Sequence, residues 1–317
     1  MVVTTNGNHI RYYTWKLSPG VVKGSVYETF NFFREFSCKY LIKFEKKVNC
    51  STLPPPTFLF PHIHIHIMKI AITGKGGVGK TTLAGTLARL LAQEGRGVVA
   101  IDADPDMNLA SAIGLSKNPT PISTLDDLIT DRAGAPGGVF KINPKVNDIL
   151  DRYGVKNEDG VKLLTMGTIE LGGSGCVCPA SSFLRALLRH IIFKEQFVIL
   201  DMEAGIEHLG RGTTKNVDLM IVVVEPGMRS VETLTRIKKL AGDIGIENIA
   251  VVISKDVGGS GVVKEKIEEM GLPILGSIPY DTSFVKADLE GASPLDTGGD
   301  AIDEIKKIKD KLVKNLK

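Results

Sequence analysis

Beyond Met68 the chain alternates two kinds of hydrophobic pattern. Short, nearly unbroken apolar runs stand at residues 69–73, 97–102, 161–166, 197–201, 219–224, 249–253 and 274–278. Runs of this length, rich in Val, Ile and Leu, read as strands buried on both faces. Between them, residues 80–94, 180–193, 230–242, 260–270 and 299–316 carry apolar side chains at helical spacing, as Leu83, Leu87, Leu90 and Leu91 do in the first of these segments. The alternation predicts an α/β fold, a mostly parallel, doubly wound sheet of about seven to eight strands flanked by helices. The stretch from Ser116 to Asp159 is richer in Pro, Gly, Asn and Asp, and reads as an insertion with short helices such as Thr124 to Asp131. At the far end Ile302, Ile305, Ile308 and Leu312 share one face with lysines opposite. A basic amphipathic helix can lie on a membrane, but this one has no aromatic residue and its basic face is broken by Asp303, Glu304 and Asp310. It is expected to close the fold against the sheet.

Composition changes the picture at one place. The first 67 residues hold 12 of the 19 aromatic residues, four of the six His, the single Trp and the Pro54-Pro55-Pro56 run. We expect residues 1–67 to be an atypical N-terminal extension outside the fold, arising from the assigned start, and residues 68–317 to be the working domain. The extension lacks the features of a transit peptide or secretory signal. Within it His62, His64 and His66 alternate, so a strand would align three imidazoles able to bind a metal; an unselected leader is the alternative, and Cys38 and Cys50 share it. The formal charge of +3 also arises there, since residues 1–67 hold eight Lys/Arg against three Asp/Glu and the remainder 31 against 33. A near-neutral domain gives no reason to expect a nucleic-acid partner. No apolar run reaches the length of a membrane span, and four cysteines make no disulfide framework, so a cytoplasmic protein is expected.

Candidate chemistry begins between the first strand and the first helix, in Gly74-Lys75-Gly76-Gly77-Val78-Gly79-Lys80-Thr81-Thr82. Gly74, Gly79, Lys80 and Thr81 satisfy a phosphate-binding loop: backbone N–H groups cradle phosphates, Lys80 reaches the outer ones, and the Thr81 hydroxyl ligates Mg²⁺. Gly74, Gly76 and Gly79 also spell a dinucleotide fingerprint, but that turn has no use for a lysine and a hydroxyl at 80 and 81. A nucleoside triphosphate is the expected ligand.

Two further motifs bear on its use. Asp102-Ala103-Asp104-Pro105-Asp106-Met107-Asn108 ends the second strand, and Val198-Ile199-Leu200-Asp201 ends an apolar strand before Glu203-Ala204-Gly205-Ile206-Glu207-His208. With Lys75, these motifs resemble the deviant-Walker-A P-loop ATPases, the group of MinD-like positioning proteins, nitrogenase iron protein and metal-cluster carriers. Asp201 to Thr213 together with Cys176-Val177-Cys178 looks most like the CO dehydrogenase nickel-insertion ATPases of the CooC type. The resemblance covers residues 68–317. It implies that Lys75 reaches the partner's phosphates in an ATP-bound homodimer and that Lys80 and Thr81 serve their own nucleotide. Asp104 would position or deprotonate the attacking water, and Asp201 would hold Mg²⁺ directly or through water. Read alone, Asp104 and Asp201 can equally end strands or form turns, and Asn108 can simply cap a helix.

The pair Cys176 and Cys178 narrows function. At this spacing in an extended segment both sulfurs point one way, and Pro179 suits the first turn of a helix whose N-terminus favours the Cys178 thiolate. Thiolates bind soft and borderline metals, and a symmetric dimer supplies four ligands where one chain supplies two. Without the resemblance, two buried hydrophobes explain them as well. The resemblance implies Ni²⁺, with Zn²⁺ possible at the same donors, delivered to CO dehydrogenase as client. Three rival readings remain: an iron–sulfur cluster carrier ATPase, a MinD-like membrane-associated positioning ATPase, and a nickel-chaperone GTPase. The last would need a guanine motif that Ser254-Lys255-Asp256 only distantly echoes. Tyr280 and Asp281 either lie near the base or form a strand-to-helix turn.

Overall fold

A computed structural model describes residues 2–6, 9–13, 68–135, 141–167, 179–194, 197–204 and 217–314. Strands β1 (Val2–Asn6) and β2 (His9–Tyr13) pair antiparallel and belong to a unit of their own, Met1–Ile63. The second unit, His64–Lys317, holds every other element.

Its strands are β3 (Met68–Gly74), β4 (Val98–Ala103), β5 (Val155–Lys156), β6 (Lys162–Thr165), β7 (Phe197–Met202), β8 (Leu219–Val224), β9 (Ile249–Asp256) and β10 (Ile274–Pro279). They form an eight-stranded sheet in the order β10-β9-β8-β3-β7-β4-β6-β5. All pairings are parallel except β5 with β6. All seven expected strands are present within a residue or two, except that β9 runs three residues further. The expected doubly wound, mostly parallel sheet is the fold observed.

Helices cover both faces because side chains alternate along each strand. On one face α1 (Lys80–Gln93), α2 (Leu109–Ala112) and α9 (Asp300–Lys314) pack on Ile70, Ile72, Ala100, Ile199 and Ile221. On the other, α3 (Asp126–Ala133), α4 (Ile149–Tyr153), α5 (Pro179–Lys194), α6 (Met228–Ile244) and α7 (Gly261–Glu269) pack on Ala71, Ile101, Leu200, Val222 and Val251. A further helix, α8 (Thr282–Glu290), follows β10 and buries only Ala287. In α9 the whole apolar stripe, Ala301, Ile302, Ile305, Ile308 and Leu312, is buried on the sheet, as expected. Among the described residues no helix is long and apolar enough to cross a membrane.

One charged residue fixes the helix behind the phosphate loop. Arg89, on α1, is 9% exposed; it donates from Nε to Asp159 and from Nη1 to both oxygens of Asp296, at 2.5, 2.9 and 2.8 Å. A buried guanidinium needs such partners, and the two carboxylates tie α1 to the turn between β5 and β6 and to the short 3-10 helix Pro294–Thr297. Both sheet edges are guarded. β5 is two exposed residues long, and on β10 Lys311 donates to the Leu275 carbonyl at 2.6 Å.

Candidate nucleotide site

The loop starts at a close approach of two strands. Gly74, at φ 149°, lies so near β8 that a Cβ would stand 2.4 Å from the Val223 carbonyl oxygen. The chain then enters α1 through Gly79, left-handed at φ 92°. No side chain caps this helix and no acid occupies its first turn, so its N-terminal amides and dipole are open to an anion. A cavity of about 680 Å³ lies here, lined by Gly76, Gly77, Val78, Gly79, Lys80, Thr81, Thr82, Asp104 and Asn108, by Ser254 and Lys255 at the end of β9, and by the end of β10 with the chain that follows it. Of the expected site residues Gly74, Lys75 and Asp201 do not line it. Lys75 is exposed at the crest of the loop and Asp201 is fully buried.

Register explains the acid cluster. β4 and β7 are adjacent and parallel with Asp102 opposite Asp201, so two strand ends deliver two carboxylates side by side. Asp102, 1% exposed, accepts from the N–H groups of Asp104 at 3.2 Å and Leu109 at 3.0 Å. Burial nevertheless pushes its carboxyl up to about 6. Asp201 lacks even that support: both of its oxygens are buried without a hydrogen bond. Burial pushes its carboxyl up to about 7; the nearby Thr81 hydroxyl and Lys80 pull it back, and Asp102 and Asp104 add to the rise. The Thr81 hydroxyl stands close without forming a good bond.

Orphaned, buried carboxylate oxygens beside a hydroxyl and an anion cradle fit Mg²⁺ well. No group of three or more His, Cys, Asp or Glu able to hold a metal occurs among the described residues. Asp201, Thr81 and the nucleotide's own oxygens would hold the ion, as is common for Mg²⁺. A pH effect follows for the nucleotide-free protein. Between the ordinary carboxylate value and about 7 the folded chain holds a proton on Asp201 that the unfolded chain has lost, so raising pH across that window lowers stability. Thermal unfolding followed from pH 5 to pH 8 should show the decline, and Asp201→Asn should reduce it to the part that the raised Asp102 carboxyl contributes.

Asp104 does two things at once. Its Oδ1 accepts from the Asp106 N–H at 3.1 Å, forming a local turn, and its Oδ2 stands 3.5 Å from the Lys80 ammonium. Asn108 sits at the N-cap of α2 but its side chain makes no capping bond, and Asp102 accepts from the amide of Leu109, the first residue of that helix. Asp281 caps α8, accepting from Ser283 N–H at 2.8 Å, so the strand-to-helix turn is observed, and Tyr280 and Asp281 also line the cavity. Asp256 does not line it: its carboxylate accepts from Ser277, Ser260 and the Gly258 N–H. Ser254 and Lys255 do line it, and their part in the site was not legible from sequence. Cys176, Cys178, His62, His64, His66, Cys38, Cys50 and the stretch 205–213 lie outside the described residues.

Comparison with known proteins decides the family. The model of the CobQ/CobB/MinD/ParA nucleotide-binding domain matches residues 69–295. The chain belongs to this family. Among its relatives in the CobQ/CobB/MinD/ParA family, an uncharacterised ATP-binding protein of Methanocaldococcus jannaschii is 49% identical over 78% of this chain and 98% of its own length. The carbon monoxide dehydrogenase accessory protein CooC of Rhodospirillum rubrum is 48% identical over 72% of this chain and 90% of its own. The fold agrees with a solved structure: a chain of the MinC:MinD cell division protein complex of Aquifex aeolicus superposes with a TM-score of 0.59, at 23% identity, over 78% of this chain and 96% of that one. The expected resemblance to CooC-like ATPases is therefore correct.

Proposed function

We propose that this chain is an ATPase that dimerises on binding ATP and delivers nickel to CO dehydrogenase during that enzyme's maturation. The observation that carries the reading is the 48% identity to CooC over 90% of its length. It is supported by the coincidence, in one domain, of the phosphate loop, Asp104, the buried Asp201 and the sequence Cys176-Val177-Cys178. ATP enters the cavity with its phosphates on the loop amides and Lys80. Mg²⁺, when bound, offsets the charge of the outer phosphates, held by Thr81 and Asp201. Asp104, already facing the Lys80 ammonium, orients the attacking water once the nucleotide draws Lys80 to its phosphates. Lys75, exposed and turned out of its own cavity, is free to meet a nucleotide on a second copy. Adenine suits the site because Asp256, the carboxylate a guanine motif would need, is held away by Ser277, Ser260 and Gly258.

In the dimer the four thiolates of two Cys176/Cys178 pairs converge on one nickel ion, and hydrolysis relaxes the interface and frees it. Metal analysis of the ATP-loaded protein should give about one nickel per two chains. The double variant Cys176→Ala/Cys178→Ala should give none while still binding ATP. Equal nickel in both proteins would remove the function proposed. A broad visible absorption of the anaerobically purified protein would replace it with cluster transfer.

A further inference from the structure

The end of β9 touches the phosphate loop in an unusual way. Ser254, 5% exposed, donates from Oγ to the Val78 carbonyl at 2.5 Å, and makes a longer contact of 3.4 Å with the Val224 carbonyl. Lys255, the next residue, donates from Nζ to the Gly77 carbonyl at 2.6 Å and pairs with Glu225 Oε1 at 2.8 Å. Consecutive residues thus hold consecutive carbonyls of the loop. Since each peptide is planar and trans, drawing the Gly77 and Val78 carbonyls toward β9 turns the N–H groups of Val78 and Gly79 the opposite way. Successive amides turned to one side make an anion-binding concavity.

Two observations show that the contact is built in. Lys255 adopts a left-handed backbone, φ 52°, a conformation uncommon for a lysine. The surroundings are explicit: Glu225 holds its ammonium, and Asp256 pins the chain beyond it through Ser277, Ser260 and Gly258 N–H, at 2.5, 2.7 and 3.0 Å. On the inner side of the loop, the Val78 N–H and the Lys80 ammonium reach the Lys75 carbonyl at only 3.4 and 3.5 Å. These long contacts leave both donors to be claimed by a stronger acceptor such as a phosphate.

We propose that Ser254 and Lys255 are positioning residues for the phosphate loop: they grip its outer carbonyls so that its amides face the nucleotide before it arrives, with Glu225 orienting Lys255. The inference rests on ATP occupying this loop and is independent of the cysteines. The test compares full-length wild type with Lys255→Met, Lys255→Arg and Ser254→Ala, measuring Mg²⁺–ATP and Mg²⁺–ADP affinity, KM, kcat and thermal midpoint. Lys255→Met should weaken ATP and ADP alike by about tenfold, the scale of one charge-assisted hydrogen bond, and KM should rise more than kcat falls. Lys255→Arg, which keeps a charged donor, should recover most of the affinity, and Ser254→Ala should lie between. Should Lys255→Met fail to fold, Glu225→Gln is expected to weaken both nucleotides in the same direction by a smaller factor. Unchanged affinities in a folded Lys255→Met and Ser254→Ala would overturn the proposal, as would a loss of kcat with ATP and ADP affinity intact. Normal nucleotide affinity with lost nickel, as in the cysteine variant, concerns the metal reading alone.

Discussion

Lys80→Met is expected to slow ATP hydrolysis on the order of 10²- to 10³-fold, the usual cost of removing one preorganised group that meets developing charge. Phosphate release at saturating Mg²⁺–ATP measures it. Lys80 is 6% exposed and opens α1, so its ammonium is held at the mouth of the helix with little water to weaken it. Its charge is shared with Asp104 at 3.5 Å, a contact loose enough to yield to a triphosphate. Methionine keeps the apolar stem and favours a helix, so the fold should persist with its thermal midpoint close to wild type. A Lys80→Met protein that hydrolyses ATP within a few-fold of wild type would show that charge at the outer phosphates comes from elsewhere in the site.

Gly74→Ala should be the most disruptive small substitution in the loop. Its Cβ would stand 2.4 Å from the backbone oxygen of Val223, and φ 149° is closed to alanine, so β3 and β8 must separate or the loop must re-form. We expect a loss on the order of 3 kcal/mol, from backbone strain and overpacking together. Thermal unfolding checks it, with Gly76→Ala as control: a Cβ there meets nothing within 4 Å, and its midpoint should hardly move. Equal melting of the two variants would mean that the sheet yields at this close approach.

What could be read from the letters follows from where each residue's partners lie. β3, β7 and β8 are buried on both faces, so their apolar runs were visible without any knowledge of neighbours. Asp201 was visible as well, because an acid ending such a run contradicts its surroundings. α8 was not: it buries one residue and exposes Val285 and Leu289, so no apolar stripe marks it and only Asp281 announces its start. Arg89 sits among buried leucines of α1, and its partners are 70 and 207 residues away. Lys255 finds Gly77 across 178 residues and through a backbone angle that sequence does not display. Local pattern gave the layers; the contacts that tune the phosphate loop are long-range and polar, and they emerge only once the sheet has set its register.

The guarded rims of the sheet have a consequence for assembly. A two-residue strand at one margin leaves little backbone for a neighbouring molecule to extend, and at the other a lysine covers one main-chain oxygen. Copies of this chain are thereby turned away from irreversible ribbon-like stacking, and in the dimer proposed above they would meet through side chains and loops. Contacts of that kind can be made and broken at each turnover, as the carrier role proposed above requires.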